Sequence, residues 1–305
     1  MQLTIVNRVG LKALSFEEER FHFGMWAINK SPLTIGAPMN SSLTPAESLS
    51  ILQNKEVIAI NQDPLGEQAQ LIRRFTEEEY DIWAGSLSDS RKVVAIANWK
   101  NSSQTVSFDL DVVGVTSAAA RDVWAAQDLG TVEQTFTTNL AGHQLKLLVL
   151  SNIKATQQQV TSIGYYIATE AALSGSATSS TCDDTQCLPA HSKVGYIGPD
   201  DTTKVTFSGV NSNTSGKKLV GVDFINYDIA LSTAWEDGTN TRNMSIAVNG
   251  GDAKRWAFPI SGGDWYDSGR LLIELDGFKE GGNEVVFTAP GTTWAPDLVG
   301  FELFE

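Results

Sequence analysis

From residue 66 onward the chain is cut into short segments rich in β-branched and aromatic residues, each closed by a polar or Gly-rich turn. Over residues 66–153 the segments are "YDIWAGSL", "KVVAIANW", "QTVSFDLD", "RDVWAA", "EQTFTTNL" and "HQLKLLVLS". Regular spacing of this kind predicts an antiparallel β-sandwich. "LKLLVLS" is more continuously apolar than the rest and reads as a central strand. Residues 154–162, "KATQQQVTS", are polar and read as a linker. Residues 163–305 form a second all-β unit with strands in "KVTFSGV", "KLVGVDFINY", "NMSIAVNG", "RLLIELDGF", "NEVVFTAP" and "LVGFELFE". Turns such as "VNGGD", "SGGDW" and "KEGGN" separate them, and a jelly-roll β-sandwich is the natural expectation.

Residues 1–65 have a different grammar. Ser15 and Glu18 form an S-x-x-E capping box, and Phe21, Met25 and Ile28 follow as an apolar helical stripe. Pro32 stops that helix. "SPLTIGAPM", with Leu33–Ile35 at its centre, reads as a short strand buried on both faces, as in a parallel sheet. Thr44 and Glu47 suggest a second capping box, with Pro45 at the first helical position of a helix running through "ESLSILQNKEV". Helix, strand, helix is a slice of an α/β fold, too small to bury its own strand. Unpaired buried backbone groups are costly, so residues 1–60 are expected to be partly disordered or aggregation-prone.

Composition narrows the partners. Net charge is −14, split as −4 over residues 1–156 and −10 over 157–305, which argues against nucleic acid and suits a neutral ligand or a cation. No apolar run reaches membrane-spanning length. Cys182 and Cys187 in "CDDTQC" read as a disulfide, with two free thiols as the alternative. Sequons at Asn29, Asn40, Asn101, Asn213 and Asn243 favour secretion, yet "MQLTIVNRVG" lacks the apolar core of a signal peptide.

Two runs carry a family resemblance. "SFEEERFHFGMWAINKSPLTIGAPM" and "NKEVIAINQDPLG" resemble the end of the catalytic barrel of glycoside hydrolase family 27, the α-galactosidases. "YDIWAGSLSDSRKVVAIAN" resembles the antiparallel domain that follows that barrel. Residues 163–305 resemble a family 35 carbohydrate-binding module through "ATEAALSGSA", "VDFINYD", "SIAVNG", "GDWYDSG" and "TTWAPDLVGFEL". The resemblance implies a mainly β chain in four parts: 1–65, the last helix-strand-helix of a (β/α)8 barrel; 66–153, an antiparallel sandwich; 154–162, a linker; and 163–305, a binding module. It makes "SPLTIG" the eighth barrel strand and puts the other seven upstream. It begins near Leu14, and residues 1–13 match it poorly, so a truncated product or a mis-assembled gene is expected.

The implied chemistry is retaining hydrolysis of terminal α-galactosides, which needs two carboxyl groups about 5 Å apart. The family's two aspartates lie on strands upstream of the match, and no residue here corresponds to either. Asp63 reads as a turn or cap residue, Glu17, Glu18 and Glu19 as solvated groups favouring a helix N-terminus, and His22 as packed or surface-exposed. The chain is therefore expected to be inactive alone, although its parent would be a secreted α-galactosidase.

The C-terminal unit offers binding candidates instead. The resemblance places ligand contacts at Trp294 and Asp297, and another aromatic contact at Trp265. Asn226, Tyr227 and Asp228 follow a strand into a loop. Each also has a structural reading: Trp265 as a cover on the core edge, Asp297 as a turn or metal residue. Trp235 and Trp256 read first as core. Galactose-containing glycans are the expected partners. The module family suggests a structural calcium, but Ile167 and Thr169 replace its glutamates and only Glu170 remains, so no oxygen-rich set is assembled and no cofactor is assigned. A non-catalytic sugar-binding protein is the alternative function, and a product without function a third.

Overall fold

The structure is a computed structural model that describes residues 8–38, 40–156, 160–200, 202–228 and 241–305. The chain divides into two compact units, one of residues 1–73 and 78–158, the other of 159–305 with 74–77. The first unit opens with α1 (Phe16–Ile28), α2 (Ala46–Leu52) and α3 (Lys55–Asn61). Its strands are β1 (Gln70–Phe75), β2 (Tyr80–Leu87), β3 (Arg91–Asn98), β4 (Gln104–Asp109), β5 (Val115–Asp122), β6 (Gln127–Glu133), β7 (Thr135–Leu140) and β8 (Leu145–Ala155). Six form one sheet in the order β1-β2-β3-β8-β5-β6, and β4 pairs with β7. All pairs described are antiparallel.

β8 lies between β3 and β5, the central position its apolar run implied. Residues 93–98 of β3 are buried without alternation, so both faces of the sheet are covered there. On one face, Val93, Ala95, Ala97, Leu145 and Leu147 share a core with Phe23, Ala27, Ile28, Ile51, Val57 and Ile60 of the helices. Phe23 and Ile28 are almost fully buried, which stabilises the docking by roughly 1.5–3 kcal/mol each. Gly24 permits the approach of α1: a Cβ there would stand 2.6 Å from a Leu145 methyl.

Several expectations for residues 1–65 are corrected by this packing. The helices have a core, which they share with the sandwich sheet. "SPLTIG" forms no strand: only Ile35 makes an isolated bridge, and it is 39% exposed. No described strand flanks it to pair its backbone. The helix stripe is Phe23, Ala27 and Ile28, with Phe21 and Met25 partly buried beside it. The Ser15–Glu18 capping box forms, but the Thr44–Glu47 box does not. Thr44 instead donates to the Pro38 carbonyl at 2.5 Å. The single helix expected over "ESLSILQNKEV" is two, because Asn54 accepts from Glu56 N and Val57 N and starts α3 afresh. Glu19 is buried rather than solvated, accepting from Gly10 N at 2.7 Å and Ser48 Oγ at 2.7 Å. "RDVWAA" is the end of β5 and a turn, not a strand of its own.

The second unit contains β9 (Ser162–Ile167), β10 (Ala172–Ser174), β11 (Thr178–Thr181), β12 (Ser192–Gly195), β13 (Lys204–Ser212), β14 (Gly216–Ile225), β15 (Arg242–Val248), β16 (Lys254–Phe258), β17 (Gly269–Phe278), β18 (Gly281–Thr288) and β19 (Asp297–Phe304). One sheet runs β10-β13-β18-β15-β16, the other β11-β12-β19-β14-β17, with β9 added alongside β19. Phenylalanines join the two sheets. Phe207 and Phe287 of the first meet Phe301 of the second at 4.9 and 5.6 Å, and Phe224 meets Phe258 at 4.9 Å. The alternating burial of β15 and β18 follows from having one face on this core.

Candidate functional site

The loops leaving β12, β14, β16 and β18 gather aromatic and charged side chains in the second unit. Asp297 opens β19, and its carboxylate takes the Lys193 ammonium of β12 at 2.8 Å. Burial pushes the Asp297 carboxyl above the ordinary aspartate range, against the opposing pull of Lys193 and Arg242. Lys193 also donates to the Trp265 carbonyl at 2.6 Å and lies 4.9 Å from the centre of the Tyr266 ring.

Arg242, at the start of β15, is the second hub. Its Nε donates to Asp228 at 3.3 Å, and its Nη1 donates to the Ala295 carbonyl at 3.2 Å. Its guanidinium sits 4.8 Å from the centre of Trp265, a cation–π contact. Tyr227 meets the same indole edge-on at 6.4 Å. Behind Trp265 lie Ile225, Val299 and the Cys182–Cys187 disulfide, which forms as expected. Cys187 N donates to the Tyr266 carbonyl at 2.9 Å, tying the disulfide loop to the Trp265 loop.

Trp294 stands apart from that packed group. It is 44% exposed and meets Tyr196, itself 69% exposed, edge to face at 6.4 Å. Between them, Ala295 N donates to the Ile197 carbonyl at 3.1 Å, and Arg242 holds the Ala295 carbonyl from the other side. Gly198 makes room for the indole: a Cβ there would lie 3.1 Å from the Trp294 ring and 2.8 Å from Ser176 Oγ.

The six candidates therefore take different places. Trp265, Tyr227 and Asp228 meet around Arg242, and Asp297 joins them through Lys193. Trp294 presents an open face. Asn226 is fully buried, its amide donating to the Phe258 carbonyl at 3.0 Å and accepting from Asp228 N at 3.1 Å, so it holds the loop. Trp256 is buried in β16 as a core residue, and Trp235 lies outside the described residues. Lys193, Tyr196, Arg242 and Tyr266 were not singled out from the sequence. Tyr196 carried a usable signal, an aromatic residue between Gly195 and Gly198 in a turn.

Two ion pairs, Lys193–Asp297 and Arg242–Asp228, leave the site locally neutral while supplying donors and acceptors. An open aromatic pair beside them can cover the C–H side of a sugar ring. Among the described residues, no cluster of three or more His, Cys, Asp or Glu suits a metal ion.

In the first unit, the buried carboxylates are committed to structure. Asp63 accepts from Ser88 N at 2.9 Å, Ser88 Oγ at 2.8 Å, Leu65 N at 3.1 Å and Arg91 at 3.1 Å. Burial opposes its charge, but the Ser88 and Leu65 donors with Lys30 outweigh it and hold the carboxyl below its ordinary range. This is the turn role assigned from the sequence. Asp81 takes the Trp99 indole N–H at 2.9 Å, and Asp122 takes Lys146 at 2.7 Å. His22 is half-buried, and burial with nearby Arg8 lowers its pKa.

Comparison with known proteins agrees with the first unit's architecture. Residues 77–150 match the family model for the alpha galactosidase C-terminal beta sandwich domain. Over 97% of its length the chain is 31% identical to a probable alpha-galactosidase D of Aspergillus niger and 29% identical to the alpha-galactosidase D of Emericella nidulans. A solved structure, alpha-galactosidase I of Mortierella vinacea, is 27% identical over 50% of this chain and 40% of its own, with a TM-score of 0.46. The Aspergillus niger match spans 407 positions against 305 residues here, so at least 102 positions have no counterpart in this chain. The chain is thus similar to α-galactosidases and spans 61% of the length of these two curated relatives.

Proposed function

We propose that this chain is an α-galactosidase-like polypeptide whose second unit, a family 35-like module, binds galactose-containing glycans and which does not itself cleave them. The hydrolase part of the proposal is supported by the match of residues 77–150 to the α-galactosidase sandwich domain and by the relatives' names. A retaining mechanism needs a nucleophile and an acid/base about 5 Å apart in one pocket. The buried acids of the first unit instead accept from Ser88, Arg91, Trp99, Lys146 and Ser48, which suits folding rather than catalysis. The parent activity would belong outside the cell, consistent with the disulfide.

Sugar binding rests on one observation above all, the exposed Tyr196–Trp294 pair, joined to the ion-paired group through Arg242 on the Ala295 carbonyl. Aromatic area supplies the attraction, and Arg242, Lys193 and their carboxylates supply hydroxyl contacts. That geometry supports a binding role independent of hydrolysis. The test is hydrolysis of an aryl α-galactoside by the purified chain, together with isothermal titration of the same sample with galactose. Binding without turnover is expected; turnover well above background would overturn the non-catalytic assignment, and absence of binding would remove the module's role.

A further inference from the structure

The first unit carries a groove of about 440 Å³ that no part of the proposal above uses. Its walls include Gln70, Ile72, Ala84, Ser86, Lys92 and Val112. The volume suits a small molecule, and the lining mixes polar groups with a few apolar side chains, as a hydroxylated ligand would need. Lys92 is the unusual member. It lies on β3 opposite Ser86, and its ammonium reaches the Val113 carbonyl. No carboxylate stands within ion-pair distance of it among the described residues, in contrast to Lys146, Lys193 and Lys218; Lys30, whose ammonium reaches the Ile60 carbonyl, is a second lysine of this kind.

The surroundings hold this ammonium in place. Gly114, in the left-handed conformation at φ 74°, ends the turn that offers the Val113 carbonyl. A Cβ at that position would lie 3.6 Å from Lys92 Nζ, so the ammonium sits directly over the glycine. Burial alone lowers the Lys92 pKa, with no acidic neighbour to offset it. One neutral acceptor leaves an ammonium with two further donors. Gln68 also lines the groove, with one N–H of its amide on the Asn29 carbonyl at 2.8 Å.

We propose that this groove is a binding site for a hydroxylated carboxylate, a sugar acid such as a hexuronate, with the ligand carboxylate on Lys92. Gln68, Gln70 and Ser86 serve its hydroxyls, and Ile72, Ala84 and Val112 face its C–H surface. Glu67 stands exposed on the rim and opposes an anion, which gives the proposal a second handle.

The test is isothermal titration of the full chain carrying Trp294→Ala, so that the second unit's aromatic platform does not contribute. Galacturonate is titrated, with galactose as comparator. Galacturonate is expected to bind at least tenfold more tightly than galactose, since a charge-assisted hydrogen bond is the stronger kind. Lys92→Met should weaken galacturonate at least tenfold, Lys92→Arg should keep it within a few fold, and Glu67→Gln should strengthen it. Unchanged melting temperature in Lys92→Arg guards against a folding defect. No heat with galacturonate, equal affinity for the two sugars, or unchanged affinity in Lys92→Met would each overturn the proposal. Galactose binding through Trp294 is measured separately in the unmutated chain, so the two sites stand or fall independently.

Discussion

Trp294→Ala is the perturbation whose effect follows most directly from the coordinates. The ring is 44% exposed, so roughly 110 Å² of a large aromatic's ~250 Å² is open to a ligand. A hexose lying on one face would cover about half of that, roughly 55 Å². At about 25 cal/mol per Å² the contact is worth ~1.4 kcal/mol, or about tenfold in affinity. The native interaction is expected to be weak, on the order of millimolar or ~4 kcal/mol, so the variant should fall to about 10 mM. Because the indole already faces solvent, its loss should cost little stability, and the second unit should melt as before. Isothermal titration of the full chain with methyl α-galactoside reads the effect. A dissociation constant within twofold of the unmutated chain would refute the placement of the sugar on this platform.

The remaining predictions address the supports. Gly198→Ala would put a methyl 3.1 Å from the Trp294 ring and 2.8 Å from Ser176 Oγ, and should weaken galactoside binding several-fold by titration while leaving the fold intact by circular dichroism. Asp63→Ala strands the Ser88 and Leu65 amides and frees Arg91, a loss of about 3 kcal/mol for a carboxylate that is only 2% exposed; calorimetry should show the first unit melting about 6–12 °C lower. Glu305 is held at a pKa of about 2 by Lys218, with Ser212 and Thr214 assisting against burial. A depressed carboxyl stabilises above its unfolded pKa and stops doing so as pH falls through the folded value. Glu305→Gln should therefore melt lower than the native chain at pH 7, with the gap closing between about pH 4.5 and 2.

What the sequence disclosed divides by the range of the interaction. The Ser15–Glu18 box was legible because both partners lie within one turn, and it forms. Most sandwich strands were legible because alternation and turn residues are local signals. β10, β11 and β16 are short, and β11 is exposed throughout, so they carry no alternation strong enough to read. The "SPLTIG" segment reads as a buried strand on composition, yet burial depends on what packs against it, and Ile35 is 39% exposed. Asn54 divided a helix that propensity alone would have continued. The site shows the same limit. Trp265 and Trp294 look equivalent as loop tryptophans, but Arg242 covers one and leaves the other open. Nothing local to Tyr196 announces that Trp294, far along the chain, will meet it. The Lys92 groove depends on a turn from residues 112–114 closing over β3, and no periodicity encodes that.

The central claim is that this chain holds a galactoside without cutting it, and one nuclear magnetic resonance titration tests both halves. The full chain, isotopically labelled, is titrated with methyl α-galactoside while the ligand's anomeric proton is followed in the same tube. The account predicts shifts at the Trp294 indole and around Tyr196, with the anomeric signal undiminished over days. Loss of that signal, or a titration that leaves Trp294 and Tyr196 untouched, would contradict it.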